Sequence, residues 1–191
     1  MPNYNVEVSA DGTQIWRNDK GERHREDGPA AIYPNGEKNW YINGKLHRDG
    51  GPAVICTDGT QKWYINGKLH RDGGPAVIYS NGTQSWYING KQHREDGPAV
   101  ICSNGTQFWC INGKIHRDGG PAIFYPYGIE YWYKNDNLHR EDGPAVIYSD
   151  GEKRWYLNGK QLTEQKFNDR KHSMDVKEIT IAGITYIMKR K

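Results

Sequence analysis

A His-Arg pair recurs at 24–25, 47–48, 70–71, 93–94, 116–117 and 139–140, always at an interval of 23 residues. Trp40, Trp63, Trp86, Trp109, Trp132 and Trp155 keep the same interval, while Trp16 stands 24 residues ahead of Trp40, so the first unit carries one inserted residue near Asp19–Gly21. A fixed period of this length requires a repeat architecture, because one such unit cannot bury its apolar face alone and must stack on its neighbours.

Each unit is punctuated twice by Asn-Gly or Asp-Gly, for example Asn81-Gly82 and Asn89-Gly90, with β-branched and aromatic residues between and around them. Asn-Gly supplies the positive φ angles that two-residue hairpin turns need. Composition agrees: 23 Gly, 13 Tyr and 7 Trp stand where helical proteins carry Leu and Ala. The chain therefore reads as all-β, an elongated antiparallel β-meander of 23-residue hairpin repeats. With Asn81-Gly82 as a two-residue loop, Val77 faces Trp86, and Val77, Tyr79, Trp86 and Ile88 share the core face. Ala76, Ile78 and Tyr87 then take the other face, where the variable series Asn39, Lys62, Ser85, Phe108, Tyr131 and Arg154 implies partial solvation. Gly-Pro-Ala opens the first strand of each unit, since Pro cannot donate to a ladder and suits a strand's first residue. The unit at 117–139 replaces Asn-Gly by Pro126-Tyr127-Gly128 and Asn135-Asp136, so its hairpins should be the least regular.

The ends break the pattern, as the exposed edges of a repeat array require. Residues 1–15 read as an N-terminal half-repeat cap, with Val6 and Val8 alternating before Asp11-Gly12, and 16–161 as the array. Residues 162–191 read as a C-terminal cap: Thr163 caps a short helix over 164–171, and Lys177–Ile181 and Ile184–Met188 form a further hairpin. Its Ile179, Ile181, Ile184, Tyr186 and Ile187 carry enough apolar surface to cover the last repeat or to make an oligomer contact.

The run Trp63-Tyr-Ile-Asn-Gly-Lys-Leu-His70, followed by Gly and later by Tyr79-Ser-Asn-Gly82, resembles the MORN repeat, a 23-residue β-hairpin unit with a Trp-x-x-Asn-Gly-Lys-x-His-Gly pattern. The resemblance covers about 16–160. It departs in the His-Arg-(Glu/Asp)-(Asp/Gly)-Gly-Pro-Ala segment, a variant similar to MORN-like arrays of phage, giant-virus and bacterial proteins. It implies a twisted β-sheet scaffold for protein or lipid contact, and no single activity.

Net charge is +3, and the whole excess lies in residues 161–191, which hold 7 basic and 4 acidic residues. A sheet that bound long nucleic acid by counterion release would be basic over its own surface, so that partner is not expected. No stretch approaches a membrane span, the start lacks the basic and apolar regions of a signal peptide, and Cys56, Cys102 and Cys110 have no pairing or metal spacing. These readings point to the cytoplasm, the host's if the chain is viral.

The His-Arg-acid segment is the only polar constellation present in every unit. Equivalent residues should recur about every 10 Å, making a ladder in which Arg pairs with neighbouring acids to fix the connections, or in which Arg forks and aromatic faces bind an anion. The candidate ligand- or partner-binding residues are His47, Arg48, Tyr64, His70, Arg71, Tyr87, His93, Arg94, His116 and Arg117. One His per unit argues against a metal site, and a constellation repeated six times, with no unique nucleophile and base, argues against an enzyme. No catalytic residue, metal or cofactor is expected. The expected function is a non-enzymatic scaffold that binds another macromolecule, most simply a protein, along its sheet. The alternative is a phage host-defence antagonist that sequesters a small anionic nucleotide in an Arg/His/aromatic groove.

Overall fold

The computed structural model describes residues 4–181 and 184–189, with side chains through Arg170. The chain forms two compact units, residues 1–116 and 117–191. It is an antiparallel β-meander with one short helix. In the first unit ten strands follow one another in a sheet, from Asn5–Val8 and Gln14–Arg17 to Val100–Ile101 and Gln107–Phe108. In the second, five do so: Ile123–Phe124, Glu130–Tyr131, Val146–Ile147, Lys153–Leu157 and Lys160–Leu162.

Each repeat contributes two hairpins of different construction. In the first, Val77 pairs with Ser85 and Ile78 with Gln84, one residue away from the register that a two-residue loop would impose. The loop has three residues, Ser80-Asn81-Gly82, closed by Tyr79 N–H to Thr83 C=O at 2.9 Å, with only Gly82 at positive φ. Asn81 Oδ1 instead accepts the Thr83 N–H at 2.9 Å, fixing the turn from inside. This is the type I turn plus left-handed Gly that joins three-residue hairpins.

Because a one-residue shift moves every side chain to the opposite face, the expected core face is corrected. Val77 shares its face with Ser85 rather than Trp86, and Ser85 and Asn39, expected on a solvated surface, are 3 % and 6 % exposed. The best buried positions are the small ones: Ala30, Ala53, Ala76, Ala99, Ala122 and Ala145 are all fully enclosed, with Val54, Val77, Ile123 and Val146 beside them.

In the second hairpin Tyr87 pairs with Gln92 and Ile88 with Lys91, and Asn89 and Gly90 both have positive φ, 50° and 82°. Here the two-residue type I′ turn is as expected. In the interior repeats this hairpin is its own two-stranded ladder and not a continuation of the sheet. Trp86 marks the handover: its N–H donates to Ala99 C=O of the next repeat, while its C=O accepts the His93 N–H of its own.

The unit at 117–139 is regular after all. Tyr125 and Ile129 close the same three-residue loop with Gly128 at φ 87°, Pro126 fitting the turn's first corner, and Asn135 and Asp136 both adopt positive φ. The inserted residue in the first unit enlarges the second turn to Asp19-Lys20-Gly21, closed by Asn18 N–H to Glu22 C=O at 3.0 Å. At the N-terminal end Asn5–Val8 pairs antiparallel with Gln14–Arg17, with Val8 opposite Gln14.

At the C-terminal end Lys153–Leu157 runs through Trp155 unbroken and pairs with both Val146–Ile147 and Lys160–Leu162. The helix spans Glu164–Asp175, longer than expected, and Thr163 Oγ1 accepts the Lys166 N–H at its start. Phe167 is 1 % exposed, and Arg170 Nη2 donates to Glu141 C=O at 3.4 Å, tying the helix to the last His-Arg segment. Val176–Ile181 then pairs with Ile184–Lys189. The apolar side chains from Ile179 to Ile187, to which a capping or oligomer role was assigned, lie outside the described side chains.

Candidate functional site

The His-Arg segments form the junctions between consecutive second hairpins. In the Arg71 junction, Arg71 N–H donates to Tyr87 C=O at 3.3 Å and Gly90 N–H to Leu69 C=O at 2.8 Å. Between these two bonds the Asn89 N–H meets His70 Nδ1 at 3.2 Å. The imidazole thus stands in for a backbone carbonyl where the tight turn offers none. The same bond recurs from Asn43 to His24, Asn66 to His47, Asn112 to His93 and Asn158 to His139, at 3.0–3.1 Å. On the other side of the ring Nε2 faces an acid: Asp49 lies 3.3 Å from His47, Asp72 3.2 Å from His70 and Glu141 3.4 Å from His139.

The arginines pack on indoles. Arg71 Cζ sits 4.0 Å above the Trp63 ring, and a Cβ at Gly74 would come within 3.1 Å of it, so glycine leaves room for the guanidinium there. Arg48 lies 4.0 Å from Trp40, Arg94 4.2 Å from Trp86, and Arg140 4.1 Å from Trp132. The Nη1 groups of Arg48, Arg71, Arg117 and Arg140 donate to the carbonyls of Pro52, Pro75, Pro121 and Pro144 at 3.1–3.2 Å. A desolvated cation–π contact is worth about 2 kcal/mol, and the bond to proline adds about 1 kcal/mol. Trp, Arg and Gly-Pro are therefore one structural device, which accounts for their common period.

The sequence-selected residues are brought together in part. His70, Arg48 and Arg71 line one cleft of ≈ 330 Å³ with Trp63. Arg71, His93 and Arg94 line a second, and His47 and Arg48 a third. Arg117 borders a cleft in the second unit, with Trp132 and His139. His116 N–H closes onto Trp109 C=O at 3.0 Å. Tyr64 and Tyr87 line none of these clefts: burial pushes the Tyr64 hydroxyl above its ordinary pKa, and Tyr87 Oη accepts from Gln92. Among the described residues no group of three or more His, Cys, Asp or Glu side chains could hold a metal ion.

A second candidate surface was missed. In the second unit Tyr127, 60 % exposed, stacks on Tyr125 with centroids 5.3 Å apart, and Tyr131 meets Tyr125 at 6.0 Å and Tyr148 at 6.4 Å. Arg154 lies 5.0 Å over the Tyr148 ring and is held by Glu152 at 2.8 Å. Burial raises the Tyr131 hydroxyl pKa, with the neighbouring tyrosines adding to the effect. The signal was present in the variable series ending Phe108, Tyr131 and Arg154, and in the Tyr of the Pro-Tyr-Gly turn. The assumed register placed these residues wrongly.

No protein-family profile matches the chain, and no curated protein is significantly similar to it.

Proposed function

We propose that the chain is a non-enzymatic MORN-like scaffold that binds a protein partner through the tyrosine face of residues 117–191. The observation that carries this reading is the contiguous cluster of Tyr125, Tyr127, Tyr131 and Tyr148 with Arg154 at its edge. Tyr and Arg dominate the energetic centres of protein interfaces, because their large rigid faces bury area at small entropic cost while their polar ends find partners. The regular junctions, by contrast, spend their Trp faces on arginine, which leaves less for the alternative, a nucleotide that needs a stacking platform. Among the described residues no helix is long and apolar enough to cross a membrane.

The test is co-purification from native cells of the intact chain and of a Tyr127→Ala, Tyr131→Ser variant. Loss of a stoichiometric protein with unchanged melting temperature supports the reading. Equal recovery by both proteins overturns the assignment of the face, and a released small anion absorbing near 260 nm favours the nucleotide reading instead.

A further inference from the structure

The junctions come in two chemical forms. In the first, His-Arg is followed by Glu-Asp, and the second acid closes onto the arginine: Arg25 Nε to Asp27 at 2.8 Å, Arg94 to Asp96 at 2.9 Å and Arg140 to Asp142 at 2.7 Å. In the second form, at 47–51, 70–74 and 116–120, His-Arg is followed by Asp-Gly-Gly. The remaining acid turns to the histidine, as Asp49 does to His47 and Asp72 to His70, and Gly50 or Gly73 takes the position of the closing acid. Arg48 and Arg71 keep the Trp stack and the bond to proline, but no carboxylate lies within ion-pair distance of either guanidinium among the described residues. A guanidinium has five N–H donors, so each of these arginines offers at its edge the donors that its sister junctions spend on an aspartate.

We propose that the cleft bordered by Arg48 and Arg71 binds an acidic segment of a partner protein, whose carboxylates take the places that Asp27 and Asp96 fill in the closed junctions. The occupant is read from the molecule itself, since the same Nε in the same stacked arginine binds an aspartate oxygen three times. The cleft of ≈ 330 Å³ includes Gly50 and Gly51, which put no side chain in the way of an incoming group. Each guanidinium packs on an indole and donates to a proline carbonyl, so the fork is oriented before the ligand arrives, which lowers the entropic cost of the bond. Successive junctions of a two-strand repeat are about 10 Å apart, and residues i and i+3 of a polyproline II segment, with three residues per turn and a rise of about 3.1 Å, present side chains on one side at about that span. The motif is therefore Asp-x-x-Asp in polyproline II form. Asp49 and Asp72 stand at the same mouth and oppose a third acid, which limits the charge of the segment.

This inference rests on the reading of the chain as a protein-binding scaffold, but its test needs no natural partner and does not touch the tyrosine face, so each can fail alone. The probe is the peptide acetyl-Asp-Ala-Ala-Asp-amide, titrated into the full chain while the arginine Nε–Hε resonances are followed by NMR. The expected result is saturable shifts at Arg48 and Arg71 with roughly millimolar affinity, and little change at Arg25 and Arg94. The Asn-Ala-Ala-Asn peptide should bind at least about tenfold more weakly, since it keeps the shape and loses the charge assistance. Replacing Asp49-Gly50 and Asp72-Gly73 by Glu-Asp, the pair of the closed junctions, should abolish the shifts, with the backbone at Gly50 and Gly73 leaving its present φ of 71° and 70° for that of the closed junctions.

Shifts spread equally over all arginines, or unchanged by the Glu-Asp graft, overturn the proposal. So does saturation by inorganic phosphate at lower concentration than by the peptide, which would make the occupant a phosphate. Should the graft fail to fold, the Asp and Asn peptides still decide the matter on the native chain, equal shifts from both overturning it.

Discussion

The two hairpins of one repeat are both marked by Asn-Gly, and they differ in almost everything else. In the hairpin at 77–85 Asn81 keeps an ordinary backbone and only Gly82 goes left-handed, the loop has three residues, and the strands continue into the sheet on both sides. In the hairpin at 87–92 Asn89 itself is left-handed, the loop has two residues, and the strands pair only with each other. Sheet continuity in the first comes from backbone bonds and buried Ala and Val; in the second, neighbours are joined by a few backbone bonds plus the imidazole and the stacked guanidinium. A repeat can thus hold one layer by packing and the other by side-chain surrogates for backbone, with tryptophan as the hinge between them.

The largest expected effect comes from cutting that hinge. Trp63→Ala removes the platform under Arg71 and a large half-buried ring, and should destabilise the chain by about 3 kcal/mol, measured by urea unfolding. A loss below about 1 kcal/mol would show that the two layers do not depend on the stack.

Over-packing the first layer comes next. Ala76 is fully enclosed, and Ala76→Leu should cost about 2 kcal/mol, whereas Lys68→Leu on an exposed strand of the second hairpin should cost less than about 0.5 kcal/mol. Equal costs would erase the distinction between a packed and a bonded layer.

His70→Phe keeps a planar aromatic ring but withdraws the acceptor from the Asn89 N–H, for an expected loss of about 1 kcal/mol. Hydrogen exchange sharpens the comparison: the Asn89 amide should lose protection in this variant while the Ile78 amide keeps it. Unchanged protection at Asn89 would show that the imidazole is not needed as a carbonyl surrogate.

The smallest effect belongs to the exposed acids of the closed junctions. The hydrogen bond from Arg94 holds the Asp96 carboxyl below its ordinary pKa, and Arg25 does the same for Asp27. A carboxyl depressed in the folded state stabilises it above the unfolded pKa near 3.9, and that contribution fades as the pH falls through the depressed value. Asp27→Asn with Asp96→Asn should therefore leave a shallower fall of melting temperature between pH 5 and pH 2. A steeper fall would contradict the assignment.

The repeat period, the all-β class, both turn positions and the helix start at Thr163 were legible because each depends on local chemistry: Asn-Gly at a turn, a hydroxyl at a helix start, Pro opening a strand. The register of the first hairpin was not, because Asn-Gly fits both a two-residue loop and the last two positions of a three-residue loop, and the choice reverses every side chain between the faces. That single shift hid Tyr131 and Arg154 as members of a common surface.

The 23-residue interval of Trp, His, Arg and Gly-Pro by itself determined that the chain is a β-repeat and that these residues act together. Only the tertiary structure decided what they do: the guanidinium packs on an indole that comes before it in the chain and close to a glycine that follows it, and the imidazole accepts from an amide of the next repeat. Periodicity records that residues share a role, but not whether their partners lie in the same unit or the next. That depends on how far each hairpin advances the stack, a property of backbone geometry rather than of residue type.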